Sequence, residues 1–256
     1  MRYRSPEKVV DEIKYVHKIF GTRTFRFEDD SFTLNKEYVT KICELLIKEK
    51  LGITWACETR ADTITGDVAK IMKAAGCQSV DIGVESGDEE TLKRIKKGIT
   101  IKQAKDAIKT LKESGIDAAT LFVIGFPWED EEKIKSTVSL MEELDTFYAN
   151  YAIATPYPGT ELYNICVSEG LIPKDINWST FFQQSPDMFL TRIFTREQVL
   201  RVVGETQQAF DRHNRRKRRE RVLLHPLSTA KMIYQMDYYK PRFLRALFRS
   251  LSSQIN

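Results

Sequence analysis

The stretch Val80–Gly87, VDIGVESG, sets a carboxylate and a hydroxyl side by side where an apolar run stops. A carboxylate directly after an apolar strand needs a charged or hydrogen-bonding partner once water is excluded, so Glu85 raises the question of what it meets. The pattern recurs along the chain. Apolar runs end in Glu28, Asp29 and Asp30; in Glu58 and Arg60; in Glu85 and Ser86; in Gly125, Phe126, Pro127 and Glu129; and in Thr155, Pro156, Tyr157, Pro158 and Gly159. Five runs thus deliver polar or sharply turning residues at the same end, a set suited to one polar organic ligand with several hydrogen-bonding groups. Glu58 and Arg60 carry opposite charges on one run, and each either faces a ligand or pairs with a neighbouring helix. Asp, Ser and Gly at such places also serve as helix caps and turn residues, the competing reading of the same letters.

Other chemistries find no support in the letters. Cys43, Cys57, Cys77 and Cys166 are scattered, with no CxxC or Cys/His grouping, and read as small buried apolar residues. There is no GxGxxG dinucleotide loop and no GxxxxGK(S/T) phosphate loop. With 42% hydrophobic and 30% charged residues in 256, the composition is that of a globular chain able to bury a sizeable core as one large or two small domains. No apolar run approaches the roughly 20 residues of a membrane span, and MRYRSPEKVVDEIKYV has no apolar signal segment. A cytoplasmic location is the expectation.

The elements that must position these residues alternate with a regular beat. SPEKVVDEIKYVHKIFG has Ser5 to cap, Pro6 at the first helical position, a Val9/Ile13/Val16 stripe and Gly21 to stop, and predicts a helix. TFRFEDD, GITWACETR, SVDIGVESG, AATLFVIGFP and YANYAIATPYPG predict strands; NKEYVTKICELLIKEK, TGDVAKIMKAAG, DEETLKRIKKG, TIKQAKDAIKTLKESG and EDEEKIKSTVSLMEEL predict the helices between them. Strands alternating with helices predict a parallel sheet with right-handed crossovers, and two strands, SVDIGV and TLFVIGF, are apolar enough to be covered on both faces. A partial or closed β/α barrel and an open doubly wound sheet both fit the beat. Polar groups spread over all five strand ends favour the barrel, which gathers them around a central ligand.

At this point five stretches, FRFEDDSFTLN, WACETRAD, MKAAGCQSVDIGVESGDEETLKRIKKGIT, LFVIGFPWEDEEKIKSTVSLMEEL and ATPYPGTELY, in this order and spacing, resemble the radical SAM superfamily. The likeness covers residues 1 to 170 and is nearest to the branch whose members often carry a cobalamin-binding domain. It implies an α/β fold, a partial β/α barrel of which this chain holds strands two to six, with a helical C-terminal extension over 171–256. It implies S-adenosylmethionine across the strand tops, with Glu85 toward the ribose or ammonium and Ser86 beside it. Lys97, twelve residues on and just before Gly98, matches a basic position that meets the methionyl carboxylate. Asp29 and Asp30 stand where the family has Gly-Gly-Glu at the ligand's ammonium. One of Glu58 and Arg60 faces the ligand, and backbone groups around Ile124 and Gly125 (Val123 to Phe126) and around Pro156 (Ala154 to Pro156) hold adenine. The implied activity is reductive cleavage of S-adenosylmethionine to a 5'-deoxyadenosyl radical, or cobalamin-assisted methyl transfer, on a small, hydrophobic metabolite. The family's CxxxCxxC loop, whose thiolates hold a 4Fe-4S cluster, is absent from these 256 residues. The expectation is therefore a chain cut from a longer protein and inactive by itself, or else a non-catalytic binding or scaffold module.

After Tyr163 the signals thin. ELYNICVSEGLIP reads as a helix leaving the barrel; INWSTFFQQSPDMFL either covers the barrel mouth or packs as core; TREQVLRVVGETQQAFDRH predicts a helix capped by Thr195. Charge is strongly uneven: residues 213–256 hold eleven Lys/Arg and two Asp/Glu, a balance of +9 against −5 for residues 1–212. NRRKRRER reads as a solvated helix continuation or as a contact for an anionic partner, and PRFLRALFRSLS as an amphipathic basic helix for docking or for a membrane interface, docking being favoured. A nucleic-acid partner is not expected, because no aromatic residues line a charged groove.

Overall fold

The computed structural model describes residues 3–172, 179 and 181–224. Residues 176–178 and 180 of the aromatic segment, and the whole of the 241–252 amphipathic stretch, lie outside the described residues. By its contacts the chain divides into two units, Met1–His213 and Asn214–Asn256.

The first unit is a five-stranded, all-parallel sheet in the order β1-β2-β3-β4-β5, the α/β arrangement expected of a partial barrel. The strands are β1 (Thr24–Phe27), β2 (Thr54–Thr59), β3 (Cys77–Glu85), β4 (Asp117–Ile124) and β5 (Tyr148–Ile153). Helices run between them: α1 (Pro6–Phe20) before β1, α2 (Lys36–Glu49), α3 (Gly66–Ala74), α4 (Glu89–Arg94) with α5 (Ile101–Glu113), and α6 (Glu131–Leu144), followed after β5 by α7 (Glu161–Ser168) and α8 (Arg196–Leu224).

The helix starts follow from short polar side chains. Ser5, Asn35, Thr65, Asp88, Thr100, Asp130 and Thr160 each accept a hydrogen bond from a backbone N–H of the first turn. Each satisfies a donor that would otherwise be orphaned and contributes about 1 kcal/mol. Thr195 and Gln198 form a reciprocal pair at the start of α8, with Gln198 N–H on Thr195 Oγ1 and Thr195 N–H on Gln198 Oε1. Gly21 ends α1 at φ 67, as its position after the last apolar residue predicts.

Strand periodicity decides which side chains are packed and which are left for a site. In β2, Trp55, Cys57 and Thr59 are buried against the helices while Thr54, Ala56 and Glu58 are half-buried on the opposite face. The helix side carries the core: Ile42 and Leu46 of α2, Met72 of α3, Ile108 and Leu111 of α5, and Val80, Ile82 and Phe122 of the sheet. Trp55 is 1% exposed and donates its indole N–H to Ala75 O at 2.8 Å, which satisfies its polar atom. The other face does not meet the expectation that β3 and β4 are covered on both sides. Asp81, Glu85, Leu121 and Val123 stay half-buried there, forming an open wall on which a ligand can lie. A second apolar cluster joins Ile124 and Ile153, at the ends of β4 and β5, to Met188 and Phe189 and to Val199 and Val202 of α8. Met188 and Phe189 of the aromatic segment therefore pack as core, while Phe182 is exposed.

The second unit is described as helix over 214–224, with Glu220 paired to Arg216 at 2.9 Å and to Lys217 at 3.1 Å. No helix among the described residues is long and apolar enough to cross a membrane.

Candidate functional site

The site begins where β3 stops. The β3–β4 register shifts between Gly83 and Glu85, and Glu85 sits at φ 71, a left-handed conformation that costs a residue with a Cβ on the order of 1 kcal/mol. The irregularity aims the carboxylate across the strand end at Lys97, whose Nζ donates to Glu85 Oε1 at 2.5 Å. Each side chain is 20% exposed, so the pair is half-buried and still reachable. Lys97 is delivered by the exit of α4: its N–H bonds Leu92 O at 3.1 Å, and Lys96 and Gly98 turn through left-handed φ values of 57 and 72. Sequence alone leaves Lys97 open between a ligand-facing base and a solvated helix end; the structure pairs it with Glu85.

Gly83 makes room for that pair. A Cβ there would lie 2.8 Å from both Glu85 Oε1 and Lys97 Nζ, inside any normal contact. Because both are ends of flexible side chains, Gly83→Ala should separate the pair at a stability cost below about 1 kcal/mol. The expected readout is a near-unchanged urea midpoint with loss of ligand binding at this strand end; unaltered binding would show that the pair is not part of the site.

Beside it, strand register assembles further charges on the open face. Glu58 is the partner of Asp81 across β2 and β3, and Arg26 of β1 reaches Asp81 at 2.9 Å, Glu28 at 3.1 Å and Glu58 at 4.0 Å. Burial and then the negative charge of Asp81 push the Glu58 carboxyl up. Glu58 also feels Glu85 and Lys97, which ties this cluster to the first pair. Arg60 forks onto Asp62 at 2.9 Å and 3.0 Å, and a Cβ at Gly98 would lie 3.5 Å from its guanidinium, so Arg60 borders the same turn as Lys97. Arg26 and Asp81 escaped the sequence reading. The signal that could have found them is a charged residue inside each strand at the period that faces away from the helices.

Ser86 turns the other way. It is fully buried, its hydroxyl 3.4 Å from Thr137 Oγ1 of α6 and accepting from Asp88 N–H at 3.1 Å. Asp29 and Asp30 are exposed beyond β1. Asp29 borders a hollow of about 480 Å³ lined by Tyr38, Phe25, Phe27 and α1 and, from the charge cluster, by Arg26 and Glu28. Glu58, Arg60, Glu85 and Lys97 are thus brought together, Ser86 turns into the core, Asp29 lies on the far side of Arg26 in the hollow it shares with Glu28, and Asp30 is exposed beyond β1.

The end of β4 is built around Glu129. Ile124 is fully buried with its carbonyl accepting from Ala154 N–H at 2.8 Å, and Pro156 is buried beyond β5. Gly125 turns at φ 84 beneath the Phe189 ring, which a Cβ there would approach to 3.0 Å. Glu129 Oε2 accepts from Gly125 N–H at 2.7 Å and Phe126 N–H at 3.0 Å, fixing the loop, while its Oε1 is buried without a partner. Burial pushes this carboxyl up to about 7 despite those two bonds. Phe126 stacks on Trp128 at 5.2 Å, and the Arg94 guanidinium lies 3.9 Å over the Trp128 ring. That contact joins α4, which leads to Lys97, to the β4 loop.

Among the described residues no group of three His, Cys, Asp or Glu could hold a metal. All four cysteines are buried, and burial pushes the Cys43 and Cys166 thiols to about 12 and about 11, away from the thiolate form a metal needs.

Comparison with known proteins gives a consistent picture. The family model described as the radical SAM superfamily matches residues 1–141. An uncharacterized methyltransferase of Pyrococcus horikoshii is 38% identical over 209 residues, covering 82% of this chain and 45% of that protein. The anaerobic magnesium-protoporphyrin IX monomethyl ester cyclase of Rubrivivax gelatinosus is 33% identical, covering 63% of this chain and 30% of that protein. The chain thus spans less than half the length of these relatives. Among solved structures, the radical S-adenosylmethionine methyltransferase TsrM from Kitasatospora setae, with cobalamin and a 4Fe-4S cluster bound, aligns with TM-score 0.56 at 20% identity over 60% of this chain and 30% of its own. Coproporphyrinogen III oxidase from Escherichia coli aligns with TM-score 0.55 at 14% identity over 83% of this chain and 48% of its own. At these identities the structural likeness concerns the fold.

Proposed function

The chain belongs to the radical SAM superfamily, and from that premise we propose that it is the S-adenosylmethionine-binding core of an enzyme performing cobalamin-assisted methyl transfer or radical chemistry on a small hydrophobic molecule. The observation that carries the reading is the Glu85–Lys97 pair, held half-buried over Gly83 by a strained strand end. Strain of this kind persists where surrounding structure over-determines it, and it concentrates at ligand sites.

S-adenosylmethionine, when bound, supplies a sulfonium whose C–S bonds are the source of a methyl group or a 5'-deoxyadenosyl radical. The residues here fit such a ligand through charge. Lys97 would offer its ammonium to the methionyl carboxylate and Glu85 its second oxygen to the ligand's ammonium or ribose hydroxyls. Arg60 or Glu58 would border the ligand, and the backbone around Ile124, Gly125 and Pro156 would bound the adenine. Glu129 contributes by holding the Gly125 and Phe126 amides, and so the orientation of that backbone. Ser86 supports the turn from inside. Asp29 and Asp30 keep the place of the family's ammonium-binding motif in sequence, and their part in the site rests on that resemblance.

The residues do not fit a 4Fe-4S cluster: the described residues contain no thiolate set, and a buried neutral thiol does not ligate iron. The proposed role of this chain by itself is binding without cleavage. In domain terms we propose residues 1–170 as the barrel and 171–256 as a helical extension whose first part packs back on β4 and β5.

The test is saturation-transfer NMR with S-adenosylmethionine, which detects weak complexes. Transfer to the ribose and methionyl protons is expected, with a dissociation constant weaker than about 1 µM, because no iron chelates the amino and carboxylate groups. Lys97→Met should abolish it at unchanged fold. Equal transfer to wild type and variant would remove Lys97 from the site, and no transfer to wild type would remove the pocket.

A further inference from the structure

The exposed flank of residues 214–224 carries chemistry that the S-adenosylmethionine site does not use. Arg215, Arg218 and Arg219 are exposed and, among the described residues, make no ion pair. At i, i+3 and i+4 they share one helix face, and the same spacing continues to Val222 and Leu223, which are 42% and 80% exposed. Glu220, the acid of this run, is occupied on another face by Arg216 and Lys217. Among the described residues the flank is therefore a row of three guanidinium groups without an acidic partner that runs, within about two helical turns, into exposed aliphatic side chains.

We infer that this flank is a contact for the surface of an anionic lipid bilayer. Guanidinium groups match lipid phosphates in charge and in bidentate geometry. The aliphatic step decides between polyanions. At a bilayer, Val222 and Leu223 enter the boundary between headgroups and acyl chains while the arginines stay at phosphate level, so both halves of the face are satisfied. Against a nucleic-acid backbone the arginines would pair but the aliphatic residues would stay in water, and the face has no aromatic ring on which a base could stack. This inference does not depend on the reading of the strand-end site.

Co-sedimentation of the full chain with vesicles tests it, using phosphatidylcholine alone and phosphatidylcholine with about a third phosphatidylglycerol, at about 0.1 M salt. Wild type should bind the mixed vesicles and not the neutral ones. Because each arginine near an anionic surface changes the partition coefficient roughly fivefold, R215Q/R218Q/R219Q should weaken binding about a hundredfold. V222S/L223S should weaken it at least about tenfold without changing net charge. Helix content by circular dichroism should match wild type for both variants, since all five side chains are exposed. Absence of binding to mixed vesicles overturns the inference, as does binding indifferent to V222S/L223S. A mixed transfer-RNA preparation is the competing probe: binding to it, together with no binding to vesicles, would identify the flank as a nucleic-acid surface instead.

Discussion

Gly87→Ala should destabilise the protein by about 3 kcal/mol, toward the upper end of what overpacking costs. Gly87 follows Ser86 and gives its N–H to Thr137 Oγ1 at 2.9 Å, so its α-carbon lies against the backbone of α6. A Cβ there would sit 2.3 Å from Ser136 O, 2.5 Å from Ser136 C and 2.7 Å from Thr137 Cα. These are main-chain atoms in mid-helix, which no rotamer change can move aside. Either α6 shifts or the Glu85–Asp88 turn is displaced, and displacing the turn also moves Glu85 away from Lys97. Gly204→Ala is the matched control. Gly204 lies inside α8 with nothing within 4 Å of its added Cβ, so the same methyl group should stabilise by about 0.5–1 kcal/mol through helix propensity. Urea unfolding of both variants checks the pair of signs. A loss below about 1 kcal/mol for Gly87→Ala would mean that the turn is free to relax and that the site is less rigid than its contacts indicate.

The second large effect is one of pH and belongs to Glu129. Its carboxyl is fully buried and is raised from 4.5 to about 7 in the folded protein, chiefly by burial. Between those values the folded state holds a proton that the unfolded state has released. Stability therefore falls as pH rises from about 4.5 to about 7 and levels off above, the opposite of what a salt-bridged carboxylate does. The size is about 3 kcal/mol across the window. Glu129→Gln keeps an oxygen for the Gly125 and Phe126 amides and removes the titration. Compared at pH 5 and pH 8, wild type should lose about 3 kcal/mol more than the variant over that interval. Parallel behaviour of the two proteins would mean that Glu129 stays charged at pH 5, with water or a neighbour serving the second oxygen. The same ionisation bears on ligand binding, since the two amides that Glu129 holds fix the backbone proposed to bound adenine.

The Asp88–Lys133 contact shows how far local chemistry was legible. The sequence places Asp88 at the start of the helix predicted over DEETLKRIKKG, and in the structure it caps that helix by accepting Thr91 N–H at 2.8 Å. That it also receives Lys133 of α6 at 3.0 Å, and is thereby held below its ordinary value despite partial burial, depends on a residue 45 positions away. The site divides in the same way. Glu85 was legible because a carboxylate ending an apolar strand needs a partner. The partner, the left-handed φ and the room left by Gly83 were not, because each depends on where α4 places Lys97. Ser86 is the counterpart: its neighbour in sequence faces the open side of the sheet, yet its own hydroxyl is buried against Thr137, since successive residues leave a strand on opposite sides.

The alternation of apolar strands and capped helices, each a matter of neighbours within a few residues, determines the α/β class and the parallel direction of the strands by sequence alone, while their order is set by the fold. Family membership was readable for the same reason, because its motifs are short runs at strand ends. Which charges meet was decided by the fold, through strand register, helix exit angles and backbone strain. Register brings Arg26, Glu58 and Asp81 onto one open face although they are scattered along the chain. Local propensity acts through bonds and adjacent turns, whereas a charge pair acts through space, and distance in space is set by packing that no short stretch of sequence contains.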